Sequence, residues 1–183
     1  MDVSRLSTGE KVAGISGLLL LIIMFAFDWF TVDVGGGFAD ISVGGNAWDT
    51  MELIRFVLFL AAIAGIALAV VAASQSRPDF PVALSAVTAG LGILCVLLVI
   101  YRIIDPPGGD AEEFGVDVGR GIGVFLGLAA SIGVAYGGWR TMQEEGTSFG
   151  DAAGGGPDRR AAPPPPPPPP PSSQPPAGGG PAA

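Results

Sequence analysis

Residues 80–101 read FPVALSAVTAGLGILCVLLVIY, a stretch of 22 positions without a single charged side chain. A helix of about 20 apolar residues crosses the ~30 Å hydrocarbon core of a bilayer, because each residue advances the helix by about 1.5 Å. A lipid interior offers no water to backbone N–H and C=O groups, and a helix satisfies these groups within one segment. The stretch therefore predicts a transmembrane helix.

Three further blocks resemble it, at residues 12–30, 53–73 and 121–139. Hydrophobic residues make up 49% of the 183-residue chain and charged residues only 14%, and the mean hydropathy is +0.54. These values predict an all-α membrane fold, a four-transmembrane-helix bundle within residues 1–142. The expected helices span about residues 8–31, 47–75, 80–105 and 118–142. Reading the first block as a cleaved signal peptide is disfavoured by its length and its bulky ending, Asp28-Trp29-Phe30.

Two of the expected helix starts carry capping residues. Ser7 followed by Glu10 has the spacing of a capping box, in which each residue accepts a hydrogen bond from the other's backbone N–H. Asn46 or Asp49 can cap the second helix.

The loops between spans predict a small extracytoplasmic sheet. Residues 31–48 alternate apolar and polar side chains across the turn Gly35-Gly36-Gly37, which is typical of a β-hairpin, and residues 114–118 can add a third strand. Acidic residues gather in these loops: Asp33, Asp40, Asp110, Glu112, Glu113 and Asp117. A calcium site is conceivable, but no EF-hand spacing is present, and a solvated acidic face is the favoured interpretation.

Basic residues are slightly more numerous on the side that holds both termini. That side has Arg5, Lys11, Arg77 and Arg140, and the other has Arg55, Arg102 and Arg120. By the positive-inside rule, both termini are expected in the cytoplasm of a multi-pass plasma-membrane protein. Each arginine of the second group has an acid three residues away, namely Glu52–Arg55, Arg102–Asp105 and Asp117–Arg120. Such pairs can neutralise each other on a helix face.

Five residues at the outer helix ends form a predicted structural rim: Asp28, Arg55, Tyr101, Arg102 and Asp105. Antiparallel threading of the helices places them at one depth. An Asp28–Arg55 pair between the first two helices is the simplest account of two charges just inside the apolar blocks. Aromatic residues at the same boundary, Trp29, Phe30, Trp48 and Tyr101, are expected as interfacial anchors.

Small residues recur every four positions in two blocks. They are Gly119, Gly123, Gly127, Ser131 and Ala135 in the fourth block, and Ala61, Gly65, Ala69 and Ala73 in the second. Such faces let helix backbones approach closely in lipid. Packing within one chain is the favoured interpretation, and a homo-oligomer through these faces is the alternative.

Residues 143–183 show no hydrophobic periodicity and are rich in Gly, Ala and Pro, so we expect a disordered cytoplasmic tail. The unbroken proline run at 163–171 predicts a polyproline II rod of about 28 Å. This rod can act as a spacer or present a ligand to a protein partner.

Composition also argues against several functions. The chain has no histidine, only one cysteine (Cys95) and a net charge of −8, which together disfavour common acid–base catalysis, a cysteine-based metal site and nucleic-acid binding. We therefore expect no catalytic residue, cofactor site or metal site. The expected function is that of a non-enzymatic envelope scaffold or interaction protein in the lipid bilayer. A small transporter or channel subunit is the alternative.

Three short stretches carry a resemblance. They read YRIIDPPG at 101–108, FDWF at 27–30 and NAW at 46–48. With these, roughly residues 8–140 resemble a group of uncharacterised small four-span membrane proteins from high-GC Gram-positive bacteria. The resemblance implies the four-span topology and no activity.

Overall fold

The computed structural model describes residues 6–34, 41–74, 81–108, 116–146 and 148–150. In chain order its elements are α1 (Thr8–Ala26), β1 (Asp28–Val34), β2 (Ile41–Asn46), α2 (Ala47–Thr50), α3 (Ile54–Ala73), α4 (Pro81–Ile104), β3 (Val116–Arg120) and α5 (Ile122–Glu144). Four helices are long and apolar enough to cross a membrane: α1, α3, the Leu84–Ile104 part of α4, and α5. The prediction of four candidate spans is confirmed.

The four long helices form an antiparallel ring, and α3 also touches α5 across it. α1 contacts α3 and α5, and α4 contacts the same two helices. Two contacts set the register of α3 against α4. The Cys95 thiol lies 3.6 Å from the Val57 carbonyl oxygen, and the Thr88 hydroxyl lies 3.4 Å from that of Ala64. The last span, α5, packs against the first, α1, and this contact closes the ring.

Small residues bring the helix backbones of this ring close together. A Cβ placed on Gly65 of α3 would lie 2.7 Å from the carbonyl oxygen of Ala13 in α1. A Cβ on Gly92 of α4 would lie 2.6 Å from the Cα atom of Ala135 in α5. Gly65 and Ala135 belong to the two small-residue faces found in the sequence. The predicted use of these faces for packing within one chain is confirmed.

A three-stranded antiparallel sheet, in the order β2-β1-β3, lies where α1 ends and α5 begins. Val32 in the central strand stands opposite Val43 of β2 and Val118 of β3. The predicted pairing of two strands within residues 31–48 and the predicted third strand near 114–118 are confirmed, and the predicted turn Gly35-Gly36-Gly37 lies outside the described residues.

The first helix is shorter than predicted. α1 begins with the predicted capping box between Ser7 and Glu10 but ends at Ala26 instead of residue 31. Phe27 is extended (φ −120°, ψ 143°), and β1 follows at once. Asp28 pairs with Asn46 while Phe30 pairs with Gly45, so the intervening tryptophan forms a β-bulge.

The reason for this early end lies in the bulge. Trp29 and Phe30 are consecutive, and both are buried. Regular strand alternation would bury only one of two successive side chains, and the bulge re-aims the other. The two aromatic rings thus gain burial beneath the sheet that a longer helix would not give them.

The predicted helix at 47–75 is two helices. Asn46 caps the single turn α2, where its Oδ1 accepts a hydrogen bond from the Asp49 N–H at 3.0 Å. The chain leaves helical geometry at Met51, whose side chain is buried in the core, and α3 starts at Ile54. The burial of Met51 accounts for the break.

The last two predicted helices differ from the structure mainly at one boundary. α4 spans Pro81–Ile104, close to the expected 80–105. Residues 118–120 belong to β3, and α5 begins at Ile122 and ends at Glu144, beyond the expected 142. The Gly121 N–H donates to the Trp29 carbonyl at 2.9 Å, so strand pairing continues up to the start of α5.

Candidate functional site at the sheet end of the bundle

The sheet end of the bundle comprises the sheet, the end of α1, the start of α3, the end of α4 and the start of α5. All five residues of the predicted rim lie at this end: Asp28, Arg55, Tyr101, Arg102 and Asp105. Among these five described residues, the structure joins only Tyr101 to Asp105, through a hydrogen bond of 2.8 Å. The rim is therefore a set of separate contacts.

Arg55 is bound to the backbone and to aromatic rings. Its Nη1 donates to the Trp48 carbonyl oxygen at 3.0 Å. Its Cζ lies 5.3 Å from the centre of the Trp48 ring and 5.0 Å from that of Phe56, within cation–π range. Its Nε is buried without a hydrogen-bond partner.

The predicted Asp28–Arg55 pair is absent from the described structure. Asp28 begins strand β1, and its carboxylate lies over Gly44 of β2, where an added Cβ would come within 2.8 Å of Oδ1. The prediction assumed that Asp28 sits in the last turn of a helix. Because α1 ends at Ala26, the carboxylate follows the sheet instead.

The predicted pairing of arginines with acids three residues away is also wrong for the two pairs that the structure describes. Neither Glu52–Arg55 nor Arg102–Asp105 forms an ion pair, and the side chain of Asp117 lies outside the described part of the chain. Asp105 instead accepts from the Tyr101 hydroxyl. The Trp48 carbonyl oxygen instead accepts from Arg55, because carbonyls at the end of a helix lack partners within it.

Two arginines gather at the C-terminal end of α4. The Arg120 Nε donates to the Ile103 carbonyl oxygen at 2.7 Å, which satisfies one of the free carbonyls there. Arg102, in the last turn of α4, is half-buried, and its Nε is buried without a hydrogen-bond partner. Positive charge at this position favourably opposes the helix dipole.

Trp29 fills the interior beneath the sheet. Its Nε1 donates to the Ile23 carbonyl oxygen of α1 at 3.1 Å. Its ring lies against Gly123 and Gly127 of α5, where a Cβ on Gly123 would come within 2.6 Å of Cδ1 and one on Gly127 would overlap the indole. The expectation that Trp29 and Phe30 anchor the membrane boundary is therefore wrong, since both rings are core residues.

The sheet has one apolar and one polar face. Val32 and Val43 stand opposite each other on one face, and the neighbouring pair Asp33 and Ser42 lies on the other. Val118 continues the apolar row and is buried, whereas Val43 is 60% exposed. The apolar face is thus covered near β3 and open near β2.

An aromatic group around Arg55 was not predicted from the sequence. Trp48 contacts Phe25 of α1 at 5.4 Å, Phe56 at 5.9 Å and Phe59 at 6.1 Å between ring centres. The sequence signal for this group was that Phe56 and Phe59 lie one and four positions after Arg55, while Trp48 lies seven positions before it. Without the position of α2, this spacing could not show that the rings meet.

The opposite end of the bundle holds acidic side chains in polar contacts. The Ser85 hydroxyl donates to Glu145 Oε2 at 2.7 Å, which joins α4 to the residue after α5. Arg140 pairs with Glu144 at 3.2 Å. Burial raises the pKa of the Glu145 carboxyl, and the neighbouring carboxylates of Glu10 and Glu144 raise it further, against the lowering effect of the Ser85 hydrogen bond.

Within the described residues, no three acidic or cysteine side chains lie together as metal ligands. Asp40, Asp110, Glu112 and Glu113, on which the calcium alternative depends, lie outside these residues. A cavity of about 260 Å³ between α4 and α5 is lined by Ile93, Val96, Leu97, Ile132, Ala135 and Tyr136. This lining is almost entirely apolar, and Tyr136 is the residue among these six that carries a polar side-chain atom. No protein-family model and no curated protein matches the chain.

Proposed function

We propose that this protein is a non-enzymatic scaffold of the cell envelope, which spans the plasma membrane four times and holds partners through its sheet and its proline-rich tail. The proposal rests chiefly on how the polar side chains inside the helices are used. Ser131 donates to the Gly127 carbonyl oxygen at 2.8 Å, and Thr141 donates to that of Gly137 at 2.9 Å. Thr88 likewise bonds one turn back in its own helix.

Such internal bonds support a packed scaffold over a transporter. A polar solute that crosses a bilayer needs free polar groups or charges near the midplane. Here the hydroxyls of Thr88, Ser131 and Thr141 each donate to a carbonyl oxygen one turn back in their own helix. Gly65 and Gly92 bring neighbouring backbones together in the interior. These contacts favour a closely packed, rigid interior in the described part of the chain.

The surfaces that remain for partners lie outside the spans. The open part of the apolar sheet face, at Val32 and Val43, presents exposed apolar area beyond the helix ends. The tail residues 151–183, outside the described part of the chain, contain the nine-proline run, a composition suited to polyproline recognition. The small-residue faces at Gly65 and Gly127 contact other parts of the same chain, so a homo-oligomer would use a different surface.

Both termini are proposed to lie in the cytoplasm. The supporting observation is the count of basic residues close to the predicted spans, four against three, which leaves out Arg159 and Arg160 because they lie far from the spans in the sequence. The arginine–acid pairs that would strengthen this argument are not formed by Arg55 and Arg102, so the count alone supports the orientation.

Affinity capture after cross-linking in cells tests the scaffold proposal. The full chain is compared with a chain that ends at Gly150 and with the sheet-face variant Val32→Ser/Val43→Ser. The variant Asp33→Asn/Ser42→Ala, on the other face of the same strands, serves as the matched control. We expect the first two changes to remove specific proteins from the captured set and the control to retain them.

Two results would overturn the proposal. One is an unchanged captured set in all versions of the chain. The other is solute or ion flux through the purified full chain in proteoliposomes, which would indicate a transporter or channel instead.

A further inference from the structure

The Arg55 guanidinium has no counter-charge among the described residues. Its one hydrogen bond is the 3.0 Å contact of Nη1 with the Trp48 carbonyl oxygen. No carboxylate of the described residues lies within ion-pair distance of it, and its Nε is buried and unpartnered. A guanidinium has five N–H donors, so most of its hydrogen-bonding capacity is unused.

The position of Arg55 limits which hydrogen-bond acceptors can reach its unused N–H donors. It is the second residue of α3, so it lies within the first turn of a candidate span. Lipid phosphates are the abundant anions at this depth, and long basic side chains extend towards them from the ends of spans. Arg55 itself is half-buried, which leaves part of the guanidinium accessible.

The surrounding rings hold the guanidinium in place and provide an apolar wall. Trp48 and Phe56 stack near the cation, and Trp48 also touches Phe25 of α1 and Phe59 of α3. Phe25, Phe56 and Phe59 are exposed on the outside of the bundle. Trp48 thus bridges α1 and α3 above an apolar surface that faces lipid.

We propose that Arg55, oriented by Trp48 and Phe56, binds the phosphodiester of a membrane phospholipid whose acyl chain lies along Phe25 and Phe59. A planar guanidinium matches two phosphate oxygens and is the side chain best suited to such bidentate contacts. This inference rests on the helices spanning a membrane and does not depend on the scaffold role.

Two features favour a lipid over free phosphate. Asp49 and Glu52 are exposed close to Arg55 in the sequence, and their charges oppose a multiply charged free anion more than a singly charged phosphodiester. The exposed phenylalanines also offer packing contacts to acyl chains, and inorganic phosphate lacks such contacts.

Native mass spectrometry of the delipidated full chain in detergent tests this site. The probes are dioleoylphosphatidylglycerol, dioleoylglycerol with the same chains but no phosphate, and inorganic phosphate. We expect retention of phosphatidylglycerol alone. Arg55→Met should weaken this binding at least about tenfold, because each of the charge-assisted hydrogen bonds lost contributes about that factor or more. Arg55→Lys should weaken it less, because a point charge remains.

The matched control is Arg120→Met, which removes the same charge from the same end of the bundle and should leave lipid binding unchanged. Equal loss in both variants, equal binding of dioleoylglycerol, or unchanged binding in Arg55→Met would overturn the proposal. Binding of inorganic phosphate as tight as that of the lipid would show an anion site without lipid selectivity and would also overturn it.

A second measurement leaves Arg55 intact, in case its substitution prevents folding. Phosphatidylglycerol brominated near the headgroup should quench the fluorescence of Trp48, obtained as the difference between the wild-type chain and Trp48→Phe. Dioleoylglycerol brominated at the same positions should quench it less. Equal quenching by the two lipids would count against a phosphate contact at Arg55.

Discussion

At the scale of single residues, the contact between Trp29 and α5 explains why glycine recurs on that helix. Gly123 and Gly127 leave a flat surface, and the indole lies on it while its N–H bonds to the Ile23 carbonyl oxygen. In a membrane, contact between closely fitting surfaces supplies much of the packing energy, so this site should be sensitive to a single added methyl group.

We expect Gly127→Ala to lower the unfolding free energy by about 1–3 kcal/mol, the usual cost of an overpacked core. Thermal unfolding of the purified protein in detergent measures the effect. Gly90→Ala in α4 is the control, since no heavy atom lies within 4 Å of its added Cβ, and this variant should be neutral or slightly stabilising.

The same contact allows a test of whether Trp29 is the reason for glycine at position 127. Trp29→Phe removes the ring atoms that the alanine Cβ at position 127 would overlap, so Gly127→Ala should cost less in that background than in the wild type. Equal costs in both backgrounds would mean that the tryptophan does not impose glycine at this position.

A second residue-scale prediction concerns Asp28 and Arg55. Because the carboxylate lies over Gly44 and the guanidinium lies on Trp48, the stability effects of Asp28→Asn and Arg55→Met should add within about 0.5 kcal/mol. Unfolding midpoints of the two single variants and the double variant provide the measurement. A double variant more stable than Arg55→Met alone by over 1 kcal/mol would instead reveal a pair.

At the scale of elements, the sequence predicts the apolar helices and the alternating strands well, because both depend on local periodicity. It fails where one element passes into the next. Trp29 and Phe30 are as apolar as any helical position, and only the glycine surface of α5, far along the chain, shows why they leave the helix. Such a tertiary contact has no local signature.

The candidate site shows the same limit. The five rim residues lie at the predicted end of the bundle, but the partners of Asp28 and Arg55 differ from the predicted ones. Charge complementarity favours acid–base pairs, whereas the structure offers unpaired carbonyls and aromatic rings nearby. Which partner prevails depends on the path of α2, a single turn that the helical pattern of residues 47–75 conceals.

The contact between α4 and the end of α5 predicts a pH effect. Burial holds the pKa of Glu145 above its ordinary value of 4.5, so the folded state favours the protonated carboxyl. Its stabilising contribution is complete below pH 4.5 and is lost as the pH rises through the raised pKa.

Glu145→Gln cannot ionise and still offers an oxygen to the Ser85 hydroxyl. The variant should therefore gain stability over the wild type at neutral pH and lose that advantage at pH 4. Melting temperatures measured between these two pH values provide the test. An advantage that does not change with pH would show that ionisation of Glu145 does not affect folding.

At the scale of the whole molecule, the ring of four antiparallel helices brings the start of α1 and the end of α5 to one end of the bundle and the sheet to the other. We propose that a small imbalance of basic residues sets the orientation, since the sequence assigns Arg5, Lys11, Arg77 and Arg140 to the terminal side and Arg55, Arg102 and Arg120 to the sheet side. Arg55 and Arg102 form no ion pair with an acid of the described residues, so we expect both charges to oppose export of the sheet end at full strength.

Single-cysteine labelling on intact cells tests the resulting orientation. Cys95 is buried, so Cys95→Ala provides a background without native thiols, and Ser42→Cys or Gln143→Cys then adds one exposed thiol at either end. A membrane-impermeant maleimide should label position 42 in intact cells and position 143 only after the membrane is opened. Because the imbalance is one charge, Lys11→Gln should produce a mixed population in which both positions are partly labelled from outside. Labelling of position 143 alone in intact cells would show that both termini are external.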